Sequence, residues 1–580
     1  MFFPSLKKTK TKTRINKVKI ISVNDYRFMR FSFIINMLGG SFAMEKKRFY
    51  ITTPIYYPSA RLHIGHAYCT VLTDIFARYK RLRGFECFFL TGADEHGQKI
   101  EKNALAAGKT PQQFVDDIVE GFHKLWTLLD ISNDDFIRTT QERHVKVVQD
   151  IFSKMLANDD IYLGKYKGWY CTPCEAFWTD TQVGPDHICP DCGRPVQIAE
   201  EEAYFFKTKK YVDKLLKFYD ENPKFLVPES RKNEMINTFI KPGLDDLCVS
   251  RTSFSWGIPI RENPKHVIYV WLDALTNYIT ALGYDSDHPE LFEKFWQDPE
   301  CETIHILGAD ITRFHAIYWP MFLESLGLRK PDREFVHGLL MMKDSKMSKS
   351  KGNVVDPYPL VEHFGLDAVR YYLAREITFG QDGSFSPEQF VERVNSDLAN
   401  SLGNLLNRTV SMINKYFNGV VPAYKGKVTE FDGNLESVAN ETVKQYESLM
   451  DDLKITEAIA TVNELVNRAN KYIDETTPWA LAKDESKQEE LASVMNHLAN
   501  AIYVAGMLLK PVLTRASDKL FAQLGVTGDL LKYENVYKFG CVENVTVNKG
   551  DQLFPRLDAA VEVEFIQNLM AGKQNESVKR

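Results

Sequence analysis

The segment FYITTPIYYPSARLHIGH, residues 49–66, has the clearest structural pattern in the chain. Its first five residues favour a β-strand, Pro54 and Pro58 interrupt that strand, and a helical pattern follows from Leu62 to about Arg83. The apolar residues of this pattern share one helical face, namely Val71, Leu72, Ile75, Phe76, Tyr79 and Leu82. The segment therefore predicts a strand, a loop and a helix in succession.

Two later segments repeat the apolar strand followed by a polar loop. CFFL at 87–90 leads into TGADEHG at 91–97, and IHIL at 304–307 leads into GAD at 308–310. Apolar strands that end in Gly/Asp loops before helices are typical of a doubly wound parallel sheet, in which ligands bind beyond the carboxyl ends of the strands. We therefore predict an α/β fold with a Rossmann-type, doubly wound parallel sheet.

The remaining sequence divides into an insertion and an all-α helical bundle. Between about 155 and 235 the pattern changes to aromatics, Pro, Gly and cysteines, and from about 388 onward it is almost entirely helical. One apolar stripe of the bundle comprises Leu398, Leu402, Leu405, Leu406 and Val410. The predicted divisions are a leader (1–43), the first half of the sheet domain (44–154), the insertion (155–235), the second half of the sheet domain (236–325), a linker domain (326–387), the all-α domain (388–545) and a C-terminal tail (546–580).

Composition and charge exclude several classes of protein. Of the 580 residues, 44% are hydrophobic and 26% are charged, which is ordinary for a globular chain. No apolar run in the sequence reaches the roughly 20 residues that a membrane span needs. The net charge of -5 argues against a uniformly basic nucleic-acid coat, so any contact with RNA must come from local patches.

The first 43 residues differ from the rest, with nine Lys and Arg residues against one acid, Asp25. A basic, acid-poor leader is typical of an organellar transit peptide. Met44 nevertheless opens the globular pattern, and Gly39-Gly40 just before it can be encoded by a purine-rich ribosome-binding sequence. We therefore interpret the leader as an over-extended start outside the fold and expect a cytoplasmic protein.

Four of the nine cysteines form a cluster, in which Cys171 and Cys174 precede Cys189 and Cys192. Two Cys-x-x-Cys pairs at this spacing predict a zinc knuckle, because four thiolates complete a tetrahedron around Zn²⁺ and leave no open position. Such a metal is structural, and the alternative is two disulfides or inert thiols. His187 lies between the pairs, either as a replacement ligand or as a solvated loop residue. The odd cysteine total favours a reducing compartment.

Two short cationic segments lie far apart in the sequence. In HIGH at 63–66, His63 and His66 supply donors at a helix start, and Gly65 lacks the Cβ that would obstruct a close-lying purine. In KMSKS at 346–350, Lys346 and Lys349 can stabilise charge that develops on phosphate. The alternatives are a chance match for the first motif and a solvated basic loop for the second. Together, with a nucleotide-type sheet between them, they indicate that the fold brings both motifs to one nucleotide.

This ordered pair of motifs resembles the signature of class I aminoacyl-tRNA synthetases. From about Lys47 to about Asp558 the chain resembles the methionyl-tRNA synthetase family in its bacterial form with a single zinc knuckle. The resemblance implies that the KMSKS loop closes over the ATP triphosphate. It also implies that Asp310 holds the ribose and that Arg251 lies near the reacting carboxylate.

The resemblance further implies a methionine pocket. Its implied residues come from several segments of the chain and are Ile55, Tyr57, Asp94, Trp271, Ala274, Tyr278, Ile311, Phe314, His315 and Trp319. Asp94 would hold the substrate ammonium, and Leu275 stands where the family often has Pro. The residue types suit the ligand, because a polarizable thioether gains roughly 0.3 to 1.5 kcal/mol from each good sulfur-to-aromatic contact.

In the helical module, Asn404, Arg408 and Trp479 match positions that read the CAU anticodon in the family. An indole stacked on an unstacked base contributes roughly 1 to 3 kcal/mol, and Asn and Arg can hydrogen-bond the base edges. The alternative for Trp479, which follows Pro478, is a packing residue at a helix start.

The resemblance therefore implies a ligase that joins L-methionine to tRNA(Met), including the initiator tRNA, through methionyl-adenylate. ATP supplies the energy, with release of AMP and diphosphate, and the implied metals are structural Zn²⁺ and the Mg²⁺ that accompanies ATP. Many bacterial relatives continue into an oligonucleotide-binding domain that dimerises them, whereas this sequence stops soon after LFPR at 553–556. We therefore expect a monomer, unless the chain is a fragment.

Two other classes of protein remain as alternatives. A small-molecule nucleotidylyltransferase shares the first motif and the sheet, but it has no use for a zinc insertion or for Trp479. A non-catalytic tRNA-binding relative would have no need to retain His63, His66, Lys346 and Lys349, and the sequence retains all four.

Overall fold

The fold is described for residues 46–59, 61–174, 176–178, 180–342, 345–346, 355–378 and 380–571 in a computed structural model. The predicted leader, residues 1–43, and most of the KMSKS loop lie outside the described residues. From Lys47 onward the chain forms a single unit by its internal contacts.

The strands are numbered in chain order. They are β1 Arg48–Thr52, β2 Glu86–Ala93, β3 Asp135–Arg138, β4 Ile161–Cys171, β5 Ala176–Trp178, β6 Gln197–Phe206, β7 Leu226–Val227, β8 Leu247–Cys248, β9 Ser250–Arg251, β10 Val267–Ile268, β11 Glu302–Gly308, β12 Arg333–His337, β13 Leu340–Met342, β14 Ser345–Lys346 and β15 Gly383–Ser384.

The α-helices are numbered in the same way. They are α1 Ile64–Leu82, α2 Gln98–Ala106, α3 Pro111–Leu128, α4 Glu142–Ala157, α5 Asp180–Val183, α6 Val212–Glu221, α7 Glu229–Glu234, α8 Val270–Leu275, α9 Asn277–Thr280, α10 Glu290–Phe292, α11 Trp319–Ser325, α12 Pro357–Phe364, α13 Leu366–Arg375, α14 Pro387–Arg393, α15 Asn404–Phe417, α16 Asp432–Asp451, α17 Ile455–Thr476, α18 Pro478–Leu481, α19 Gln488–Leu509, α20 Thr514–Leu524 and α21 Ala559–Met570. Short 3₁₀ or π-helical turns cover Thr208–Lys210, Met235–Ile240, Glu293–Gln297, Ala309–Ile311, Phe314–Tyr318, Val394–Gly403, Glu485–Lys487, Gly528–Leu531 and Tyr533–Tyr537.

The central sheet has the strand order β3-β2-β1-β11-β12-β7, and every neighbouring pair is parallel. From β1 the order runs through β2 to β3 on one side, while β11 and β12 extend it on the other. The strand order therefore reverses between β1 and β11, which is the switch point at which doubly wound sheets bind ligands. The predicted fold class is confirmed. Strand β1 begins and ends one residue earlier than predicted, β2 extends one residue before and three after its predicted limits, and β11 extends two residues before and one after.

The insertion forms an antiparallel sheet with the order β5-β4-β6-β8. Its main hairpin pairs β4 with β6 from Ile161 opposite Phe206 to Tyr170 opposite Gln197. The antiparallel sheet continues to β8, past the predicted boundary at 235, while β7 within that boundary pairs with β12 of the central sheet. One strand within the predicted bounds of the insertion, β7, therefore belongs to the central parallel sheet.

From α14 onward the described chain is helical, as the apolar periodicity predicts. Leu398, Leu402, Leu405, Leu406 and Val410 are all buried in the core. One helical stretch in the described residues, Glu485–Leu509, is long and apolar enough to cross a membrane, but 94% of its most apolar window is buried inside the protein. Such burial is what the central helix of a bundle requires.

Helix α1 connects the central sheet to the bundle. In its middle, Asp74 forms an ion pair with Arg370 of α13, with 2.7 Å between Oδ2 and Nη2, and both side chains are fully buried. Near its end, Lys80 reaches Asp451 of α16 at 2.9 Å, and the Tyr79 ring lies edge-on to Tyr446. The helix is therefore fastened to the bundle at two levels.

The end of β2 is packed tightly around Gly92. A Cβ at this position would lie 2.1 Å from the backbone oxygen of Ile137 on β3 and 2.9 Å from Cγ2 of Ile55. The Gly92 carbonyl also accepts the backbone N–H of Tyr56 at 2.9 Å. The loop that follows β1 can approach the sheet because this residue has no side chain.

We predict that Gly92→Ala lowers the free energy of unfolding by about 3 kcal/mol, because the added methyl must displace backbone atoms of β3. The matched control is Gly121→Ala, whose Cβ would meet no atom within 4 Å on helix α3. In a helix interior that exchange should raise stability by about 0.5 to 1 kcal/mol. Urea denaturation of the two variants checks the difference. A Gly92→Ala protein as stable as the control would contradict the packing described.

Candidate active site

A cavity of about 370 Å³ lies at the carboxyl ends of the central strands. Its walls follow β1, β2, β11 and β12 where these strands end, which is the position expected for a ligand site on a doubly wound sheet. The lining residues are Pro54, Ile55, Tyr56, Tyr57, His63, Gly65, His66, Cys69, Asp94, Pro173, Cys174, Trp271, Ala274, Leu275, Gly308, Asp310, Ile311, His315, His337, Gly338, Leu339 and Leu340.

The HIGH motif caps the start of α1 with its own side chains. Nδ1 of His63 accepts the backbone N–H of Gly65 at 3.1 Å, and Nδ1 of His66 accepts the backbone N–H of His63 at 3.2 Å. This reciprocal arrangement is a capping box built from two imidazoles. A Cβ on Gly65 would lie 3.0 Å from Cε1 of His63, so the glycine makes room for the capping ring.

The cap determines the tautomer of both imidazole rings. An imidazole nitrogen that accepts a hydrogen bond carries no proton, so in each ring the proton is on Nε2. His63 and His66 therefore present Nε2–H donors beside the amino end of a 19-residue helix. Donors at the positive end of a helix dipole suit an anion such as phosphate.

Described residues on either side of the second motif connect it to the cavity and to the HIGH motif. The backbone N–H of Ile64, the first residue of α1, donates to the carbonyl of Val355 at 3.0 Å. Lys346 on β14 pairs with Met341 on β13. Leu340, the first residue of β13, and Leu339 just before it line the cavity. Lys349 lies outside the described residues.

Most of the predicted pocket residues line the cavity, and three pack behind its wall. Phe314 stacks on Trp271 with 3.5 Å between ring centroids and 7° between planes. The hydroxyl of Tyr278 contacts Nε2 of His315 at 2.8 Å, and Trp319 is fully buried against the same cluster. These three residues support the aromatic wall and do not form its surface.

His315 is a neutral group in this wall. Its Nδ1 lies 3.1 Å from the carbonyl oxygen of Ile311, which can only accept, so Nδ1 carries the proton. Nε2 then accepts from the hydroxyl of Tyr278. Burial lowers the pKa of His315 to about 4, which agrees with an uncharged ring at neutral pH. This end of the cavity therefore suits an apolar or weakly polar ligand group.

Arg251 lies outside the lining of the cavity. Its guanidinium carbon lies 4.3 Å from the ring centroid of Tyr170 and 5.2 Å from that of Tyr269, and the residue is almost fully buried. Its predicted place near a reacting carboxylate stays a prediction.

The predicted anticodon residues lie in the helical module. Trp479 is 45% exposed, which disfavours the packing alternative. Nη2 of Arg408 lies 3.3 Å from Oδ1 of Asp474. Asn404 lines a second cavity of about 330 Å³, whose other residues are Ala399, Asn400, Gly403, Asn407, Gln552, Phe554 and Arg556.

The four cysteines of the insertion form one cluster, with every Sγ within 4.8 Å of the others. The Sγ atoms of Cys171 and Cys192 are 3.5 Å apart and those of Cys189 and Cys174 are 3.8 Å apart. Four sulfurs about 2.3 Å from a tetrahedral Zn²⁺ would be separated by about 3.8 Å, so the cluster fits that ion. His187 is outside this group and stacks on Trp169 with 3.9 Å between centroids.

The sequence analysis missed two parts of the site. Pro173 and Cys174 of the cysteine cluster line the cavity, so the insertion forms part of its wall. His337 and Gly338 also line it, immediately after β12, and Nδ1 of His337 lies 2.8 Å from the carbonyl oxygen of Gly338. The sequence did contain a pattern that could have indicated His337 and Gly338, because these two residues follow an apolar strand shortly before KMSKS.

Comparison with known proteins agrees with this geometry. The family model described as "tRNA synthetases class I (M)" matches residues 49–200 and 192–410, and the "Anticodon binding domain of methionyl tRNA ligase" matches residues 421–565. The chain belongs to the methionine–tRNA ligase family.

Curated relatives and solved structures place the chain in the same family. The methionine–tRNA ligase of Bacillus subtilis is 56% identical over 539 residues, which cover 91% of this chain and 81% of that protein. That of Halalkalibacterium halodurans is 56% identical over 541 residues, with the same coverage of both chains. The Mycobacterium tuberculosis methionyl-tRNA synthetase in complex with methionyl-adenylate is 40% identical, with a TM-score of 0.84, and covers 88% of this chain and 100% of that one.

Proposed function

We propose that this protein ligates L-methionine to tRNA(Met) through methionyl-adenylate. One observation carries the proposal: a single cavity is lined by the HIGH residues at the amino end of α1, by Leu339 and Leu340 shortly before KMSKS, and by Trp271 of the aromatic wall. An anion-binding helix start next to an apolar, aromatic recess suits the joining of a nucleotide to an amino acid with an apolar side chain. Membership of the methionine–tRNA ligase family supports the same activity.

The nucleotide would occupy the half of the cavity formed by α1, Asp310 and the KMSKS segment. His63 and His66 would donate from Nε2 to phosphate oxygens, while Asp310 would accept from the ribose hydroxyls. Lys346 and Lys349 would stabilise the charge that develops toward diphosphate, together with Mg²⁺ that enters bound to ATP. These groups act by position and charge, as phosphoryl transfer requires.

Methionine would occupy the other half. Asp94 would hold its ammonium, and Trp271, with Phe314 stacked behind it, would contact the thioether. The neutral, doubly hydrogen-bonded His315 adds no charge to that end of the cavity. The remainder of this half is lined by Ile55, Tyr57, Ala274 and Ile311. Arg251 would act near the carboxylate.

The reaction then has two steps. A carboxylate oxygen of methionine attacks the α-phosphorus in line, a P–O bond forms, and the bond to diphosphate breaks. A ribose hydroxyl at the tRNA end next attacks the acyl carbon, loses its proton and displaces AMP. The chemistry needs orientation and charge stabilisation, so we assign no general base.

We propose that the helical module reads the anticodon of tRNA(Met), including the initiator tRNA. The half-exposed indole of Trp479 offers a face for an unstacked base, and Asn404 and Arg408 offer donors and acceptors for base edges. A cytoplasmic location fits a translation enzyme with this partner. We further propose that the four cysteines hold one structural Zn²⁺, because their sulfur spacing fits a closed tetrahedral site.

An ATP–diphosphate exchange assay across the twenty amino acids tests the function. We expect exchange that depends on methionine and is much weaker with the other nineteen, because only a thioether gains from the aromatic wall. A nucleotidylyltransferase would show no amino-acid dependence, and a non-catalytic tRNA-binding relative would show no exchange. Either result would contradict the proposal.

Lys349→Ala should slow adenylate formation by roughly a factor of a thousand, or about 4 kcal/mol of barrier, with little change in methionine affinity. The lost charge acts on the transition state, so kcat should fall while the KM for methionine stays near its original value. Lys217→Ala, at a side chain that is 74% exposed on α6, is the matched control and should exchange normally. Normal exchange by Lys349→Ala would remove that residue from the mechanism.

Cys189→Ser should reduce the metal content from about one zinc per chain to nearly none, because three thiolates close the tetrahedron incompletely. The KM for methionine should rise as well, since Cys174 of the same cluster lines the cavity. Metal analysis by mass spectrometry gives the zinc content, and Cys541→Ser in the helical module is the control. Disulfides and no metal in the unaltered protein would reject the zinc site.

A further inference from the structure

A buried carboxylate, Asp273, lies behind the methionine half of the cavity. Its two oxygens contact two different histidines, with Nδ1 of His96 at 2.7 Å from Oδ2 and Nε2 of His144 at 2.7 Å from Oδ1. Nδ1 of His144 in turn contacts the hydroxyl of Thr280 at 2.7 Å. Asp273, His144 and Thr280 are almost completely buried, and His96 is nearly so.

The hydrogen bonds define the roles of these groups. An ionised carboxylate can only accept, so His96 donates from Nδ1 and His144 donates from Nε2. Nδ1 of His144 contacts the hydroxyl of Thr280, so both ring nitrogens of His144 have a partner. Burial alone would raise the pKa of Asp273, but His96 and His144 together hold that pKa below its ordinary value. The carboxylate is therefore ionised and doubly bonded inside the protein.

Asp273 joins two segments that both line the cavity. It lies on α8 between Trp271 and Ala274, both of which line the cavity. His96 lies in the loop after β2, two residues beyond Asp94, which also lines the cavity. The indole N–H of Trp256 donates to the carbonyl of Glu95 at 2.6 Å and so holds the same loop from outside.

His144 adds a third support. It projects from α4 and connects Asp273 on α8 with Thr280 on α9, the short helix that also carries Tyr278. Tyr278 is the residue whose hydroxyl contacts His315 in the aromatic wall. One carboxylate thus connects the proposed ammonium side of the cavity to both helices behind its side-chain end.

We propose that Asp273 is a positioning residue for the amino-acid site. Its two hydrogen bonds hold the Asp94 loop, α8 and α4 in one arrangement, and this arrangement sets the length of the recess that would receive methionine. The inference rests on the proposed function, since it assigns methionine to this half of the cavity. Asp273 is fully buried and does not line the cavity, so the residue acts through Asp94 and Trp271, which do.

Asp273→Asn keeps the size of the side chain but turns one acceptor into an N–H₂ group that faces a histidine N–H. One wall must shift, or one histidine must change its tautomer. Because misplacement of a binding group by about 1 Å can cost as much as 100-fold, we expect the KM for methionine in ATP–diphosphate exchange to rise at least about 10-fold. The KM for ATP should stay within about twofold, since the nucleotide half is built on other segments.

Amide substitutions of the two histidines give a second, crossed test. The amide nitrogen of Asn lies two bonds beyond Cβ, as Nδ1 of histidine does, and that of Gln lies three bonds beyond Cβ, as Nε2 does. His96→Asn should therefore retain a near-normal KM for methionine while His96→Gln raises it. At position 144 the order should reverse: His144→Gln should keep a near-normal KM for methionine, and His144→Asn should raise it.

The control for a purely structural effect is Asp432→Asn in the bundle. Asp432 is also fully buried and accepts hydrogen bonds from Tyr472 at 2.6 Å and Ser493 at 2.7 Å. This variant should lower the unfolding temperature and leave both KM values unchanged. If Asp273→Asn fails to fold, the crossed preference at positions 96 and 144 decides the question.

The outcomes separate the inference from the proposed function. A selective rise in the KM for methionine, with the crossed amide preference, supports the positioning role. Equal changes in both KM values, or a loss of thermal stability alone, overturn that role while leaving methionine activation in place. If the unaltered protein shows no methionine-dependent exchange, the proposed function fails and this inference fails with it.

Discussion

The buried ion pair between Asp74 and Arg370 is the constraint on which the placement of the cavity depends. Burial alone would raise the pKa of Asp74, but Arg370 and Arg78 keep that pKa below its usual value, so both partners remain charged inside the protein. Removing either partner would leave an uncompensated buried charge. Arg370 also donates to the carbonyl oxygens of Leu129, Pro511 and Val512. One guanidinium therefore fixes α1 against the central domain and the bundle, and α1 begins at the cavity.

The strand and helix pattern of the central domain was predictable because it depends on local periodicity. Strands such as β2 and β11 are short apolar runs that end in Gly and Asp, and α1 shows a regular apolar face. Residues at the ends of such strands, among them Asp94 and Asp310, must meet at one edge of a parallel sheet. The sheet topology is therefore enough to predict that Asp94 and Asp310 lie at one site, and both residues line the cavity in the structure.

Other parts of the site could not be predicted, because they depend on contacts between distant segments. No sequence pattern indicates that His96 and His144 share one carboxylate, or that Cys174 reaches the cavity from the insertion. Tyr278, Phe314 and Trp319 were assigned to the pocket surface, but the side chains pack one layer behind it. Periodicity tells which residues are buried; it does not tell which of them face a cavity inside the core.

The length of helix α1 amplifies small movements of its carboxyl end into larger displacements of its amino end. Its 19 residues carry the imidazole cap at one end and the contacts with Asp451 and Tyr446 at the other. At 1.5 Å per residue it is roughly 28 Å long, so a tilt of about 1° at the bundle end displaces the cap by about 0.5 Å. Small repacking events in the bundle can therefore change the alignment of reacting groups far away, and substitutions there can tune catalysis without touching a substrate.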